Sequence, residues 1–275
     1  MTRLLLAISR PRFWLYLAGT YLVGYTAGAA SPAAFAAPGF WLHLLYFTLP
    51  ANIFLYGVND LFDADTDQHN AKKGTREHRL ARPERRAVAA AVAAAAALGL
   101  ALAAAAPSWP AQAFMLAFLV LGAGYSVPPL RFKARPGLDV ASNVLYAMPG
   151  ALGFVQAAGA WPPPAALAGA AAWTGAMHLF SAVPDIDADR AAGLSTAATV
   201  LGARAALLAC AALWMAACAA AWAVAGPPLA LVGAVYPAAA VALAARPSQV
   251  GRAYWAFPAL NAAVGFVLFL AAVRG

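Results

Sequence analysis

The sequence predicts an all-α polytopic membrane protein: a bundle of nine transmembrane helices forming a single integral-membrane domain over residues 1–275. Three observations predict it. The chain is 64% hydrophobic and 10% charged, whereas soluble globular domains hold about 45–50% apolar and about 25% charged residues. Apolar runs near the length of a membrane span recur from end to end. The charges gather in the connectors between alternate runs. Such a composition excludes a soluble enzyme and a disordered chain. The two cysteines, Cys210 and Cys218, both fall inside an apolar run, so they offer no CxxC pair and read as small core residues.

A helix needs about 20 residues to cross the hydrocarbon. The spans read as 13–30, 40–58, 87–106, 111–127, 138–157, 165–183, 203–225, 227–245 and 253–273. The first is longer than a signal-peptide core and leads into further spans, so it reads as a membrane helix. Several connectors are short and uncharged: Pro107–Pro110 is PSWP, Trp161–Pro164 is WPPP and Gly226–Pro228 is GPP. Proline and glycine stop helices there, and the tryptophans suit a membrane interface.

With nine spans, the N-terminus and the 59–86, 128–137, 184–202 and 246–252 connectors share one side. Of the 18 Lys and Arg, 16 lie in these segments and Arg204 stands at the adjoining end of the 203–225 span, so only Arg274 falls opposite. The positive-inside rule makes that side cytoplasmic, which predicts a multi-pass protein of the cell membrane. The net charge of +8 is therefore mainly a topology signal, with anion binding as a second use. It does not point to nucleic acid.

Seven of the ten acidic residues form two clusters, Asp60, Asp63, Asp65 and Asp67, then Asp185, Asp187 and Asp189. Spacings of three and four predict Asp60, Asp63 and Asp67 on one helical face, with Asn59 four before Asp63. Asp185 and Asp189 are one turn apart, and Asp187 points away. Each cluster stands where an apolar helix reaches the cytoplasmic face. Carboxylates are costly near hydrocarbon, and like charges one turn apart repel, so a cation must compensate. Hard oxygen donors suit Mg²⁺, which shares its shell with carboxylates, water and phosphates. Asn59, Asp60, Asp63, Asp67, Asp185 and Asp189 are the candidate metal ligands, and the five aspartates are the candidate catalytic residues. Calcium of the EF-hand kind is not predicted, because the required Gly and the closing Glu are missing.

Basic residues follow each cluster. Lys72, Lys73 and Arg76 come after the first, Arg190 after the second, and Arg131 and Lys133 lie in the connector between. Acids, magnesium and cations at one apolar mouth describe a diphosphate site. An allylic diphosphate, with a charged head and a greasy tail, fits such a mouth. Its ionisation leaves a carbocation that needs a dry pocket and is attracted to aromatic faces. Tyr56, Tyr125 and Tyr146 are candidate pocket residues. His178, seven residues before Asp185, is a candidate acceptor for the product's proton.

These motifs resemble those of the UbiA superfamily of intramembrane prenyltransferases. Asn59-Asp60-x-x-Asp63-x-x-x-Asp67 matches its first signature and Asp185-x-x-x-Asp189 its second, and the segment Tyr125-Ser-Val-Pro-Pro-Leu-Arg131-Phe-Lys133 extends the likeness. The resemblance implies a helical bundle open laterally to lipid substrates, with two Mg²⁺ ions bridging the Asp motifs and the diphosphate. Within the superfamily, Ser9-Arg-Pro-Arg-Phe-Trp-Leu-Tyr16, Asn52-Ile-Phe-Leu-Tyr-Gly-Val-Asn-Asp60 and the stretch Phe180–Gly193 are similar to the lycopene elongase branch, which makes C50 carotenoids. That branch implies dimethylallyl diphosphate as donor and lycopene as acceptor, the product cation then losing a proton or capturing water.

Two other readings stand beside this one. The same enzyme class acting on an aromatic acid, a quinone precursor or a glycerol ether keeps the Asp motifs and changes the acceptor. A transporter of anionic lipids keeps only the charge pattern; it predicts broken midplane helices bearing charge, and the midplanes read here carry none.

Overall fold

The computed structural model describes residues 1–63 and 77–274. The chain folds into helices: α1 (Thr2–Ser9), α2 (Trp14–Gly28), α3 (Pro38–Thr48), α4 (Pro50–Phe62), α5 (Arg85–Ala104), α6 (Trp109–Ser126), α7 (Leu138–Ala141), α8 (Met148–Ala158), α9 (Pro164–Ala182), α10 (Ile186–Ala191), α11 (Ala197–Ala225), α12 (Pro227–Gly233), α13 (Val235–Ala244) and α14 (Val250–Arg274). Prolines open α3, α4, α9 and α12, positions where their missing N–H costs nothing. Thr196 caps α11, accepting from Thr199 N at 3.2 Å while Thr199 Oγ1 accepts from Thr196 N at 2.8 Å.

Among the described residues, seven helical stretches are long and apolar enough to cross a membrane: Pro38–Phe62, Arg82–Ala104, Leu138–Ala158, Pro164–Ala191, Ala197–Ala225, Pro227–Ala244 and Pro247–Val273. These account for seven of the nine predicted spans. The other two are helices as well. However, α2 has 15 residues, about 22 Å at 1.5 Å per residue, which is short of a hydrocarbon core of about 30 Å. The 18 residues of α6 include Pro110 and Gln112 at one end and Tyr125 and Ser126 at the other.

Several spans read as single helices are interrupted. The span 40–58 breaks at Leu49, where Pro50 starts α4. Asn52 Nδ2 donates to the carbonyls of Phe47 at 2.9 Å and Thr48 at 3.0 Å, so the side chain serves carbonyls at the break, where the helical ladder is interrupted. Between α7 and α8, Ser142–Ala147 is a 3-10 helix. The span predicted to begin at 203 starts just past a kink in α11, where Gly202 has φ 73°, a left-handed conformation open to glycine.

The described residues fall into two compact units. One contains α1 to α6, α8 and the end of α14; the other contains α7, α9 to α13 and the rest of α14. In the first unit, α2 and α8 pack at close range. A Cβ on Gly24 would strike the carbonyl of Gly150, and one on Gly153 would lie 2.6 Å from the carbonyl of Tyr21. Small residues let membrane helices approach in this way. Tyr21, Phe47 and Phe118 build an aromatic core beside them, with ring centroids 5.5 Å apart in both successive pairs. In the second unit, Phe180, Trp214, Tyr236 and Phe257 form the corresponding core. The Phe180 and Phe257 rings stack at 4.2 Å, and Tyr236 Oη donates to Asn261 Oδ1 at 2.7 Å.

Candidate active site

The first motif sits at the C-terminal end of α4. The helix ends at Phe62 with Asp63 as its cap residue, so the helical spacing argument holds for Asn59, Asp60 and Asp63. Asp67, Lys72, Lys73 and Arg76 lie outside the described residues. Asp60 is 1% exposed and Asp63 5%. Placing carboxylates at a helix C-terminus opposes the macrodipole, at about 0.3–1 kcal/mol each when exposed. Two arginines, Arg10 and Arg85, offset this. Arg10 Nη2 donates to Asp60 Oδ1 at 2.9 Å, and Arg10 Nη1 lies 3.1 Å from Glu77 Oε2. Arg12 Nη2 meets Glu77 Oε1 at 2.8 Å. Arg85 Nη2 donates to the Leu61 carbonyl at 2.9 Å, filling an acceptor that the helix end leaves open.

Asn59 fixes the second carboxylate. Its Nδ2 donates to Asp63 Oδ2 at 2.6 Å and to Ser126 Oγ at 3.2 Å, tying α4 to the end of α6. Tyr125 is the residue before Ser126, half-buried. Tyr56 is buried one turn before Asp60, with the guanidinium of Arg10 4.6 Å above its ring. Arg131 has φ 37°, and its buried Nε has no hydrogen-bond partner among the described residues.

The second motif belongs to the other unit. Pro184 ends α9 in a short 3-10 turn, Val183–Asp185, and Asp185 then serves as the N-cap of α10. Ile186 turns into the core while Asp185 and Asp189 are half-buried and Asp187 is exposed. Carboxylates in a first helical turn run with the dipole, so this motif carries less intrinsic strain than the first. Arg190 Nη2 donates to the Thr199 carbonyl at 2.9 Å. Lys133 is buried and Tyr146 half-buried in the same unit.

The structure adds residues to those that the motifs name. Arg10 and Glu77 belong to the first site, although N-terminal arginines read as topology. Asp139 is buried at 0% exposure; its Oδ1 accepts from Gly137 N and its Oδ2 from Ala197 N, each at 2.8 Å. His178 Nε2 lies 3.8 Å from Asp139 Oδ2. The spacing rule does not reach Arg10 or Asp139, because Asp60 and Ala197 stand fifty and fifty-eight positions from them.

Among the described residues, no three His, Cys, Asp or Glu side chains gather into a metal-binding group. The first motif nevertheless presents carboxylate and amide oxygens with a positive charge already beside Asp60, and a donor set of this hardness fits magnesium.

The model of the UbiA prenyltransferase family matches residues 17–273. The chain belongs to this family. A UbiA prenyltransferase is an enzyme that transfers prenyl groups, and the match runs across both compact units. The lycopene elongase/hydratase of Halobacterium salinarum is 45% identical over 276 residues, covering 100% of this chain and 98% of that protein. The lycopene elongase/hydratase of Haloferax volcanii is 45% identical over 269 residues, covering 98% of this chain and 88% of the other. Among solved structures, a UbiA homolog from Archaeoglobus fulgidus bound to DMAPP and Mg²⁺ has a TM-score of 0.72 at 25% identity, over 96% of this chain and 98% of that one.

Proposed function

We propose that this UbiA prenyltransferase transfers the dimethylallyl group of its diphosphate to an end of lycopene, with magnesium held by both Asp motifs, on the cytoplasmic side of the cell membrane. The observation that carries the chemistry is the first motif: two buried carboxylates at the end of an apolar helix, one held by an amide and one by a guanidinium. The acceptor rests on the full-length likeness to lycopene elongase/hydratases, and the orientation on the one-sided distribution of Lys and Arg.

In this reading Asn59, Asp60, Asp63, Asp67, Asp185 and Asp189 hold the metal. When bound, Mg²⁺ neutralises the diphosphate and makes it a better leaving group. Lys72, Lys73, Arg76, Arg131, Lys133 and Arg190 take up charge on the diphosphate oxygens as the carbon–oxygen bond lengthens. Tyr56, Tyr125 and Tyr146 line the path of the cation, and the apolar helices exclude the water that would quench it. His178 receives the proton. The test is to incubate purified enzyme in lipid with labelled dimethylallyl diphosphate and either lycopene, 4-hydroxybenzoate or geranylgeranylglyceryl phosphate. Label is expected in the lycopene product alone, with a mass gain of one or two C5 units. Transfer to either of the other acceptors and none to lycopene rejects the assignment.

A further inference from the structure

Asp139 is an expensive residue to keep. A carboxylate withdrawn from water costs several kcal/mol even after relaxation, and this one is fully buried in α7. Its compensation is specific. Oδ1 takes the N–H of Gly137 and Oδ2 takes the N–H of Ala197, the first residue of α11. Both carboxylate oxygens thus accept from backbone N–H groups, one of them at the start of α11. Its main-chain carbonyl is held too, by Asn143 Nδ2 at 2.6 Å, and Val140 beside it packs 3.1 Å from where a Cβ on Gly175 of α9 would stand. The carboxylate is thus fixed by the N-cap of α7 and the start of α11, and α7 itself packs against α9. Facing it is one imidazole: His178 Nε2 is 3.8 Å from Oδ2, too far for a hydrogen bond and close enough for strong attraction once the ring is charged.

We propose that His178 is the catalytic base that ends the reaction by deprotonation, and that Asp139 is its positioning residue; the proposal rests on the prenyl-transfer reading above. His178 stands on α9 one turn before its C-terminal end at Ala182 and seven residues before Asp185, and so farther into the apolar span than the second motif. The bonds balance as follows. The allylic carbon–oxygen bond breaks with its electron pair on the diphosphate. The acceptor's double bond attacks the allylic carbon, forming the new carbon–carbon bond and a tertiary cation. A C–H bond beside that cation breaks, its pair closes a new double bond, and the proton passes to His178. The imidazolium faces the Asp139 carboxylate until it releases the proton to water. Where water reaches the cation first, its oxygen forms a carbon–oxygen bond, the resulting oxonium loses a proton to a second water, and the product is the hydrate. The pair therefore sets the partition between elongation alone and elongation with hydration.

The experiment measures unhydrated and hydrated products by mass for the wild-type enzyme, His178→Asn, His178→Gln and Asp139→Asn, with dimethylallyl diphosphate and lycopene in vesicles. The ratio of unhydrated to hydrated product is expected to fall at least about tenfold in all three variants, at the modest end of what a general base contributes. Asp139→Asn also puts an amide donor against a backbone donor and is the variant most prone to unfold; the two His178 variants carry the test without it. An unchanged ratio in His178→Asn and His178→Gln, with total product merely lower, overturns the proposal, as does a wild-type enzyme that makes hydrate only. A wild type that releases no diphosphate with any acceptor fails the prenyl-transfer reading instead.

Discussion

Arg10 Nη2 lies 2.9 Å from Asp60 Oδ1, and Arg10 reaches it from a left-handed backbone conformation, φ 49° and ψ 73°, directly before Pro11. That conformation costs a non-glycine residue roughly 1–2 kcal/mol, and a following proline favours extended backbone instead. The ion pairs to Asp60 and Glu77 and the Tyr56 ring beneath the guanidinium hold it there. Residues kept in strained conformations by their surroundings concentrate at functional sites, and this one terminates on the first Asp motif.

Arg10→Ala is expected to destabilise the metal-free protein by about 3 kcal/mol, the low end for breaking a buried pair. Magnesium with inorganic diphosphate should shrink that deficit, because it brings positive charge back to Asp60. Thermal unfolding in detergent, with and without the two additives, measures both quantities. An equal deficit in both conditions would separate Arg10 from the metal site.

The two motifs should be similarly demanding, and their members unequal. Asp63→Ala and Asp185→Ala are expected to lower turnover by at least about 10²-fold, on the scale of losing one preorganised electrostatic group. Asp187→Ala should stay within about twofold, because Asp187 is exposed on α10 while Asp185 and Asp189 are half-buried. Rates of diphosphate release, normalised to protein inserted in vesicles, check the order. A Asp187→Ala loss as large as that of Asp185→Ala would mean that the face of α10 has been misread.

Close packing of α2 on α8 gives a sharper stability contrast. Gly24→Ala forces a methyl group into the Gly150 carbonyl, backbone against backbone, whereas a Cβ on Gly19 meets only Leu15 of its own helix at 3.6 Å. Overpacking costs typically 1–3 kcal/mol, and since neither backbone can swing aside, Gly24→Ala should fall at the upper end. Gly19→Ala should be neutral or slightly stabilising through helix propensity. Differential unfolding in one detergent compares the two directly.

Much of this was legible in the sequence, for identifiable reasons. Hydropathy marks the spans because the bilayer imposes their length, and the Asp clusters stand out because a chain so poor in charge does not place seven carboxylates together without purpose. Asp187 pointing away from its neighbours follows from helical spacing alone. The spacing argument can be followed for Asn59, Asp60 and Asp63 to the end of α4, and Asp67 lies outside the described residues. Hydropathy runs straight across Leu49 and Pro50, because the break occurs within an apolar run and is mended by a side chain. Arg10 and Asp139 stay hidden for another reason: their meaning lies in Asp60 and in the N–H of Ala197, fifty and fifty-eight positions along.

That mended break yields the last prediction. Asn52 is fully buried, its Nδ2 serves the Phe47 and Thr48 carbonyls, and its Oδ1 has no hydrogen-bond partner among the described residues. Asn52→Leu removes two side-chain hydrogen bonds but also removes an unsatisfied acceptor, so a net loss of about 1–2 kcal/mol is expected. Asn52→Asp turns the donor into an acceptor aimed at two carbonyl oxygens and should be the worse of the two. Both changes act seven to eleven residues before Asn59, Asp60 and Asp63 on the same helix, so a shift in the bend re-aims the whole first motif. kcat is therefore expected to fall further than KM rises, which separates misalignment of the acids from lost substrate affinity. Asn52→Leu as stable and active as the wild type would mean that packing alone holds the bend at Pro50.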